Sequence, residues 1–394
     1  MTQNLTIDDY QITRFDFPRD RVIGDSQVRS ERVSLATLEL ITRQGHVGLG
    51  FFFNNFFPLP ALAELKRWFE VEIAPQVLGQ NPFSLTNRLA RPRGGNIRSL
   101  PYHVDQAIDQ ALWDLQGKVL DLPLYRLLGG QEKRVQAYAS CLGFHLSHAE
   151  VASLFQQAVQ MGFKAFKVKV GHRDLAWDLT RLAQVVEVVG PEARLMIDAN
   201  EAWSPKEAIY RLHAYREAGF KIYWVEDPCL RDDFVGLAQV AQAVPFCRLN
   251  TGEYLSLHDK HKLIEHRAVD ILNVHGHISD TLKAAWLAAE YGLPVSLGNT
   301  PFELGVHLAA ALPEVEGIEY SFMNYNHLLQ EPIQFIDGYA LAPDRPGHSL
   351  ALSAEAKTTY AQPDFARPED RLAEFVPPAP VKLGQRLKHS PNSK

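Results

Sequence analysis

Residues 165–171 read Ala-Phe-Lys-Val-Lys-Val-Gly, and this β-rich run decides the fold. Alternate side chains of a β-strand share one face, so Lys167 and Lys169 point to one side and the two valines to the other. The valines need an apolar layer, which in an α/β protein is a layer of helices. The lysines therefore face the opposite side of the sheet, where an unpaired buried ammonium group is costly.

Outward from this run, short β-rich segments alternate with helical stretches from residue 135 onward. Their starts are about 20–30 residues apart. The eight segments are Val135–Cys141, Ala165–Val170, Arg194–Asp198, Ile222–Glu226, Arg248–Gly252, Asp270–Val274, Pro294–Leu297 and Ile318–Tyr320. Eight strands with helices between them predict a parallel (β/α) barrel. The alternative is an open doubly wound sheet, but no GxGxxG motif opens a helix here.

The rest of the chain predicts an α+β unit. Before the barrel pattern begins, the sequence predicts a strand over Val33–Thr42, a turn over Gly45–Gly50 and helices over Leu59–Leu78 and Val104–Val119. After about residue 330, Gly and Pro interrupt the pattern. We therefore predict an α+β capping domain over 1–134, the barrel over 135–330 and a C-terminal segment over 331–394 that returns to the capping domain.

Composition excludes several protein classes. A 394-residue chain with 46% hydrophobic and 22% charged residues is typical of a soluble globular protein, and its net charge of −6 does not indicate a nucleic-acid partner. Three scattered cysteines (Cys141, Cys229, Cys247) argue against a disulfide framework or a zinc site and fit a cytoplasmic location. No long apolar stretch occurs, so we expect neither a signal peptide nor a membrane span.

Three acidic residues stand at the ends of three consecutive predicted strands. Asp198, Glu226 and Glu253 are separated by 28 and 27 residues, which is one βα unit each. Neighbouring parallel strands would deliver these carboxylates to the C-terminal rim, where barrel active sites lie. The carboxylates would repel one another without a cation, and all-oxygen ligands select a hard cation such as Mg²⁺. The alternative, three unrelated loop acids paired with surface lysines, leaves the common spacing unexplained.

The two lysines of the opening run complete a chemical set with these acids. Two neighbouring ammonium groups beside a divalent cation should have lowered pKa values. A lysine of lowered pKa is a usable general base near neutral pH. The set therefore indicates a metal-assisted enzyme that removes a proton from the carbon next to a carboxylate.

The sequence resembles the enolase superfamily, and within it the mandelate racemase and muconate lactonizing enzyme branch. The resemblance covers nearly the whole chain, and the ordered set of phrases is far more specific than any one of them. The phrases are Ala107-Ile-Asp-Gln-Ala-Leu-Trp-Asp-Leu-Gln-Gly-Lys118, Lys167-x-Lys169, Ile197-Asp-Ala-Asn200, Val225-Glu-Asp-Pro228 and Gly252-Glu253.

The resemblance implies a modified TIM barrel of (β/α)7β type with an α+β capping domain, and it implies Mg²⁺ at the three strand-end acids. By the same resemblance Lys169 matches the family's base, and Lys167 matches the lysine that contacts the substrate carboxylate. Glu319 matches a glutamate that hydrogen-bonds that carboxylate in the racemase group. A homo-oligomer is also implied, with the apolar run Phe51–Phe57 as a possible contact or lid; the alternative is that these rings pack inside the cap.

The sixth and seventh strands depart from the racemase pattern. That group has an Asp–His pair there as its second acid/base. By spacing, His275 stands in the place of the aspartate and Asn299 in the place of the histidine. Asparagine cannot transfer a proton, although it can hydrogen-bond a hydroxyl. His275 is therefore the candidate acid opposite Lys169, unless it is merely hydrogen-bonded to its neighbours.

These groups favour dehydration of an acid sugar or hydroxy acid, because dehydration needs one base and one acid. Racemase, epimerase or cycloisomerase activity is the alternative, and inversion would require both Lys169 and His275. A third possibility is a relative that binds a small carboxylate without turnover, which the missing dyad suggests and the intact acids oppose. Two predicted cap loops, Phe15–Val28 and Gly50–Leu59, are expected to choose the substrate.

Overall fold

Two sheets organise the chain, an N-terminal antiparallel sheet and a closed parallel barrel. The computed structural model describes residues 5–53, 58–89, 102–275, 278–298, 300–323 and 325–362, and only the backbone of residues 102–104 and 301. None of the helices in this part of the chain has the length and apolar character needed to cross a bilayer.

The N-terminal layer is a three-stranded sheet covered by helices. Its strands are β1 (Ile7–Gly24), β2 (Arg29–Thr42) and β3 (Val47–Phe53). The helices are α1 (Leu62–Trp68), α2 (Ala74–Val77), α3 (Pro82–Leu89) and α4 (Tyr102–Leu120), and a π-helical turn at Phe69–Ile73 interrupts the helix expected over Leu59–Leu78. Apolar side chains of the sheet and of α4 form one buried cluster, and removing this apolar area from water stabilises the layer.

Two sequence expectations for this layer are wrong in part. The loop expected over Phe15–Val28 is strand up to Gly24, with a register shift after Pro18, which has no N–H to donate. The turn expected within Gly45–Gly50 is present at Gly45, in the turn at residues 43–45, but Gly48 and Gly50 lie in β3 instead. At Gly48 and Gly50 an added Cβ would lie 2.1 and 1.9 Å from backbone oxygens of α4, so these glycines allow the helix to lie directly on the strand.

The phenylalanine run is only partly described. Phe51, Phe52 and Phe53 end β3 with buried side chains, so these three rings pack inside the protein. Residues 54–57 lie outside the described residues.

The predicted barrel is confirmed. Within the described chain eight parallel strands pair in chain order, and the last pairs with the first. They are β4 (Arg134–Ser140), β5 (Ala165–Lys169), β6 (Arg194–Asp198), β7 (Ile222–Glu226), β8 (Arg248–Thr251), β9 (Ile271–Val274), β10 (Val295–Leu297) and β11 (Val315–Tyr320). Their ends differ from the predicted ends by no more than three residues.

Helices connect the strands on the outside of the barrel. The short α5 (Leu124–Leu127) leads in from α4, and the described connections are α6 (His148–Gln160), α7 (Leu175–Val189), α8 (Pro205–Glu217), α9 (Phe234–Ala243), α10 (Leu257–Glu265), α11 (Ile278–Glu290) and α12 (Val306–Ala311). Several begin at a Ser or Asp whose side chain accepts a hydrogen bond from the first turn, which satisfies an otherwise unpaired N–H. These caps are Ser147, Asp174, Ser204, Asp233 and Ser256.

After β11 the chain returns to the N-terminal layer. The hairpin of β12 (Gln334–Ile336) and β13 (Tyr339–Leu341) pairs with β4, and α13 (Ala354–Tyr360) contacts β1. Between them, His348 N donates to Asp114 Oδ1 (2.9 Å), and the other oxygen of this buried carboxylate accepts from Leu49 N (2.8 Å). One aspartate of α4 thus joins β3 to a segment more than 200 residues later in the chain.

A buried histidine connects the barrel to this returning segment. His307 Nδ1 accepts from Tyr125 N (3.3 Å), so its Nε2 carries the proton and donates to the His348 carbonyl (3.0 Å). Burial lowers the pKa of His307 to about 3. The ring is therefore neutral in the folded protein at every pH above that value.

His307 should make the protein less stable as the pH falls. Between about pH 6.5 and 3 the unfolded chain binds a proton at this residue that the folded protein does not, so the free energy of unfolding should fall by up to about 1.4 kcal/mol per pH unit. Urea unfolding at pH 7 and pH 5 measures this. His307→Gln should reduce the difference between the two pH values, whereas the exposed His258→Gln should not. An unchanged difference in His307→Gln would contradict the prediction.

Candidate active site

Five strands deliver charged side chains to the interior of the C-terminal rim. Lys167 is only 2% exposed, and its Nζ lies 2.7 Å from Glu226 Oε2, 3.2 Å from Glu319 Oε1 and 3.4 Å from Asp198 Oδ2. These carboxylates come from β7, β11 and β6. One ammonium group therefore bridges three carboxylates across the barrel, as the alternation of the β5 sequence requires.

Lys169 lies nearer the mouth and has different partners. Its Nζ lies 2.6 Å from Asp198 Oδ2 and 2.7 Å from Asn200 Oδ1. Asn200 has a left-handed backbone (φ 46°), and its N–H donates to Asp198 Oδ1 (3.0 Å). Asp198 and Asn200 together hold the Lys169 ammonium group in one orientation.

The expected lowering of the lysine pKa is not produced by the protein's own residues. Burial is the largest single influence on the pKa of Lys169 and lowers it, but the carboxylates of Asp198, Asp25 and Glu226 together outweigh burial and Lys167, and the pKa is raised. Burial would likewise lower the pKa of Lys167, and Glu226 and Glu319 raise it well above its usual value. The prediction considered the two like charges but not the carboxylate beside each lysine. Strand alternation shows on which face of the sheet a side chain lies, but not which residue it contacts there.

Glu253 follows β8 and is 8% exposed. Burial raises the pKa of this carboxyl to about 7, against the lowering effect of Arg231. Burial and Asp198 also raise the pKa of Glu226. Both carboxyl pKa values are raised first by burial and further by neighbouring carboxylates, and a cation bound among these carboxylates would oppose both shifts.

The donor set fits a hard divalent cation. Four buried carboxylates, Asp198, Glu226, Glu253 and Glu319, face the two lysines, and all the anionic donors are oxygen. In the described part of the chain, no three His, Cys, Asp or Glu side chains already surround a common point closely enough to hold a metal. The lysine ammonium groups lie between the carboxylates instead. Asp198, Glu226 and Glu253 are the residues that would hold the ion.

His275 follows β9, which lies four strands from β5 in the closed barrel and therefore on the opposite side of the mouth. The ring of His275 lies 5.1 Å from that of Tyr254 in an edge-to-face arrangement. Lys169 and His275 are thus placed on opposite sides of one opening. Asn299 and His277 lie outside the described residues.

The N-terminal layer contributes to the site from the end of the segment that was expected to choose the substrate, Phe15–Val28, although sequence reasoning did not single out Asp25. The turn after β1 reaches the barrel mouth, where Asp25 is buried and its carboxylate accepts from Gln27 N (2.7 Å) and Val28 N (3.1 Å). The Gln27 side chain donates to the Asn200 carbonyl. Asp25 is also among the carboxylates that raise the pKa of Lys169. The Asp-Ser-Gln sequence suits such a turn, but nothing in it indicates which strand the turn meets.

Two asparagines inside the barrel were also missed. Asn250 and Asn273 are fully buried, and their amide atoms have no hydrogen-bond partner among the described residues. Asn273 interrupts the apolar run Ile271–Val274, and a polar residue in the middle of a buried strand is the signal that could have found it. Arg248–Thr251 has polar residues at both ends and gives no such signal for Asn250.

Two protein-family models match the chain. The family model described as enolase C-terminal domain-like matches residues 150–356, and the mandelate racemase / muconate lactonizing enzyme N-terminal domain matches residues 23–129. The fold is that of an enolase-type barrel protein. The chain belongs to the mandelate racemase / muconate lactonizing enzyme family.

Individual relatives are enzymes of several reaction types. L-Talarate/galactarate dehydratase of Salmonella typhimurium is 31% identical over 86% of this chain and 85% of its own. A solved protein of Mesorhizobium loti named after mandelate racemase is 49% identical, with a TM-score of 0.85 over 93% of this chain and 97% of that one. L-Talarate dehydratase of Polaromonas sp. JS666, solved with Mg and L-glucarate, is 30% identical with a TM-score of 0.76 over 89% and 96%. Cycloisomerases and epimerases occur among the other relatives.

Proposed function

We propose that this protein is a Mg²⁺-dependent enzyme that removes the proton α to a substrate carboxylate, and that it dehydrates an acid sugar or a hydroxy acid. The observation that carries the proposal is the buried cluster of Lys167 and Lys169 among strand-end carboxylates at the barrel mouth. The relatives solved with Mg and the dehydratases among them support it.

The two lysines have separate tasks in this proposal. Lys169 takes the α-proton, because its ammonium position at the mouth is the more exposed of the two and is oriented by Asp198 and Asn200. Lys167 and Glu319 lie deeper and hold the substrate carboxylate, on which negative charge grows as the enediolate forms. A preorganised ammonium group stabilises that charge without reorganising.

The cation supplies what these residues lack. When bound by Asp198, Glu226 and Glu253, Mg²⁺ adds positive charge that offsets their effect on the Lys169 pKa and makes the α-proton of a coordinated carboxylate more acidic. In the elimination that follows, the β-hydroxyl needs a proton, and His275 donates it from the side of the mouth opposite Lys169.

The second candidate function is racemisation, epimerisation or cycloisomerisation. The opposed positions of β5 and β9 favour it, because inversion needs two proton-transferring groups on opposite faces of one carbon. Dehydration uses the same two residues differently, with Lys169 as the base and His275 as the acid. One experiment separates the two: incubation in D₂O with a library of acid sugars and N-acyl amino acids.

A dehydratase gives a keto acid that reacts with semicarbazide. A racemase or epimerase instead returns the substrate or its epimer with deuterium at the α-carbon. Absence of both products over the library would contradict the enzymatic proposal.

His275→Asn should separate proton abstraction from elimination. The mutant should still exchange the α-proton with D₂O, because Lys169 is intact, while keto-acid formation falls by about 10²–10³-fold because the leaving hydroxyl is no longer protonated. NMR of the recovered substrate and the semicarbazide assay measure the two rates on the same sample. His266→Asn, on the outer surface after α10, is the control.

Other outcomes for His275→Asn have distinct meanings. Exchange that survives from one stereoisomer and disappears from the other would make His275 the second base of a racemase. Two rates that fall together, or hardly change, would remove His275 from the chemistry.

A further inference from the structure

The loops that follow β6, β7 and β8 adjoin the three proposed metal ligands, since Asp198 and Glu226 end their strands and Glu253 lies in the third loop. The backbones of these loops are unusual. Glu201 and Asp227 have left-handed backbones with φ of 61° and 40°, and Gly252 has φ of 112°. Such conformations are unfavourable for Glu and Asp and persist only when surrounding contacts impose them. The side chains of these loop residues therefore need a common anchor.

Arg231 supplies that anchor. This guanidinium group is 4% exposed, with Nη2 2.7 Å from Asp227 Oδ2 and Nε 3.0 Å from Glu201 Oε1. The backbone N–H of Arg231 also donates to Glu201 Oε1 (2.8 Å). One residue thus binds the acid that follows β6 and the acid that follows β7.

The third loop joins the same cluster. Thr251 Oγ1 donates to Asp227 Oδ1 (2.6 Å), so one aspartate connects β8 to Arg231. The ring of Tyr254 lies under the guanidinium group at 5.0 Å, a cation–π contact. Among the described residues Nη1 and Nε of Arg231 and Oδ2 of Asp227 have no hydrogen-bond partner, so the guanidinium group holds Glu201 and Asp227 as ion pairs. Its positive charge also lowers the pKa of Glu253, which burial raises.

We infer that Arg231 is a positioning residue that fixes these three loops relative to one another and thereby sets the affinity of Asp198, Glu226 and Glu253 for Mg²⁺. The inference rests on the proposed function, since it concerns the metal site proposed there. The described contacts of the Arg231 guanidinium group are with residues of these loops. It acts through Glu201, Asp227 and the loop that carries Glu253.

An arginine is needed at this position because the nitrogens of its planar guanidinium group have fixed directions and can pair with two carboxylates at once. A lysine is a point charge and can hold only one of them firmly. A methionine keeps much of the volume and removes the charge. The two substitutions therefore separate charge from geometry.

The test is a calorimetric titration of the purified full-length protein with MgCl₂. Arg231→Met should raise the Kd about 10- to 100-fold, the effect typical of a residue that orients metal ligands. Arg231→Lys should fall between this variant and the wild type. Arg181→Met is the matched control, because Arg181 is equally buried but holds the loop after β4, through the carbonyls of Gly143 and Leu146. Its Kd should equal that of the wild type.

Hydrogen exchange without metal gives a second readout. Arg231→Met should speed exchange in residues 199–202, 227–231 and 251–255 together and leave the barrel strands unchanged. Uniformly faster exchange over the whole barrel would mean a general loss of stability and would overturn the positioning role.

The outcomes distinguish the two levels of the proposal. A wild-type protein that does not bind Mg²⁺ would overturn the proposed function, and the inference about affinity would fall with it. A wild-type protein that binds Mg²⁺, with Arg231→Met of equal affinity, would overturn the inference alone. If Arg231→Met does not fold, Arg231→Lys becomes the test of the inference. Wild-type affinity for Mg²⁺ in Arg231→Lys would show that the planar guanidinium group is not needed at this position.

Discussion

Lys169→Ala should reduce exchange of the substrate α-proton by about 10⁴-fold or more, the upper end of what a general base contributes, because no substitute base remains beside the substrate. The nearest alternative is Lys167, whose ammonium group is held by three carboxylates at 3.4 Å or less. A group so held has little freedom to approach the α-carbon.

The Lys169→Ala experiment follows deuterium incorporation by NMR at saturating Mg²⁺. Lys221→Ala, an exposed lysine just before β7, is the control and should exchange at the wild-type rate. Circular dichroism and metal titration establish that the Lys169→Ala protein is folded and loaded. A folded, metal-loaded Lys169→Ala protein that exchanges at the wild-type rate would defeat the proposed mechanism.

Removal of the metal should abolish turnover. Exhaustive treatment with EDTA should leave no measurable product, and added MgCl₂ should restore it, because without the ion no divalent charge acidifies the α-proton of the substrate carboxylate. Full activity after the EDTA treatment would contradict the proposed requirement for Mg²⁺.

Glu226→Gln should weaken Mg²⁺ binding by roughly 100-fold or more, since the loss of a direct ligand charge exceeds the change expected for an orienting residue. Calorimetric titration measures this. Glu316→Gln is the control: it lies on β11, where its carboxylate pairs with Arg194 and Arg248, away from the cluster. An affinity for Mg²⁺ unchanged in Glu226→Gln would show that the ligand assignment is wrong.

The barrel could be predicted from sequence because its signals are local. Each strand is a short apolar run, and the spacing of about one βα unit recurs eight times. Alternation within β5 placed Lys167 and Lys169 inside, and the phase of Asp198 and Glu226 placed both at one rim. None of these steps needs a contact between distant residues.

Contacts between distant segments could not be predicted. Gln27 meets Asn200 across 173 positions in the chain, and no pattern near either residue indicates the other. The same holds for the sign of the Lys169 pKa shift, which depends on a carboxylate 2.6 Å away on another strand. In β3, Gly48 and Gly50 suggested a turn because glycine is common there; the close approach of α4 is visible only in three dimensions.

The hydrogen bond between His348 and Asp114 has a consequence for synthesis of the chain. The two residues are 234 positions apart, so at about 5–20 residues per second the ribosome makes the second roughly 10–50 s after the first. During that interval the N-terminal layer, which is translated before the barrel, lacks the His348 N–H that donates to Oδ1 of the fully buried Asp114. The N-terminal layer therefore completes its buried hydrogen bonds only after all eight strands of the barrel have been translated.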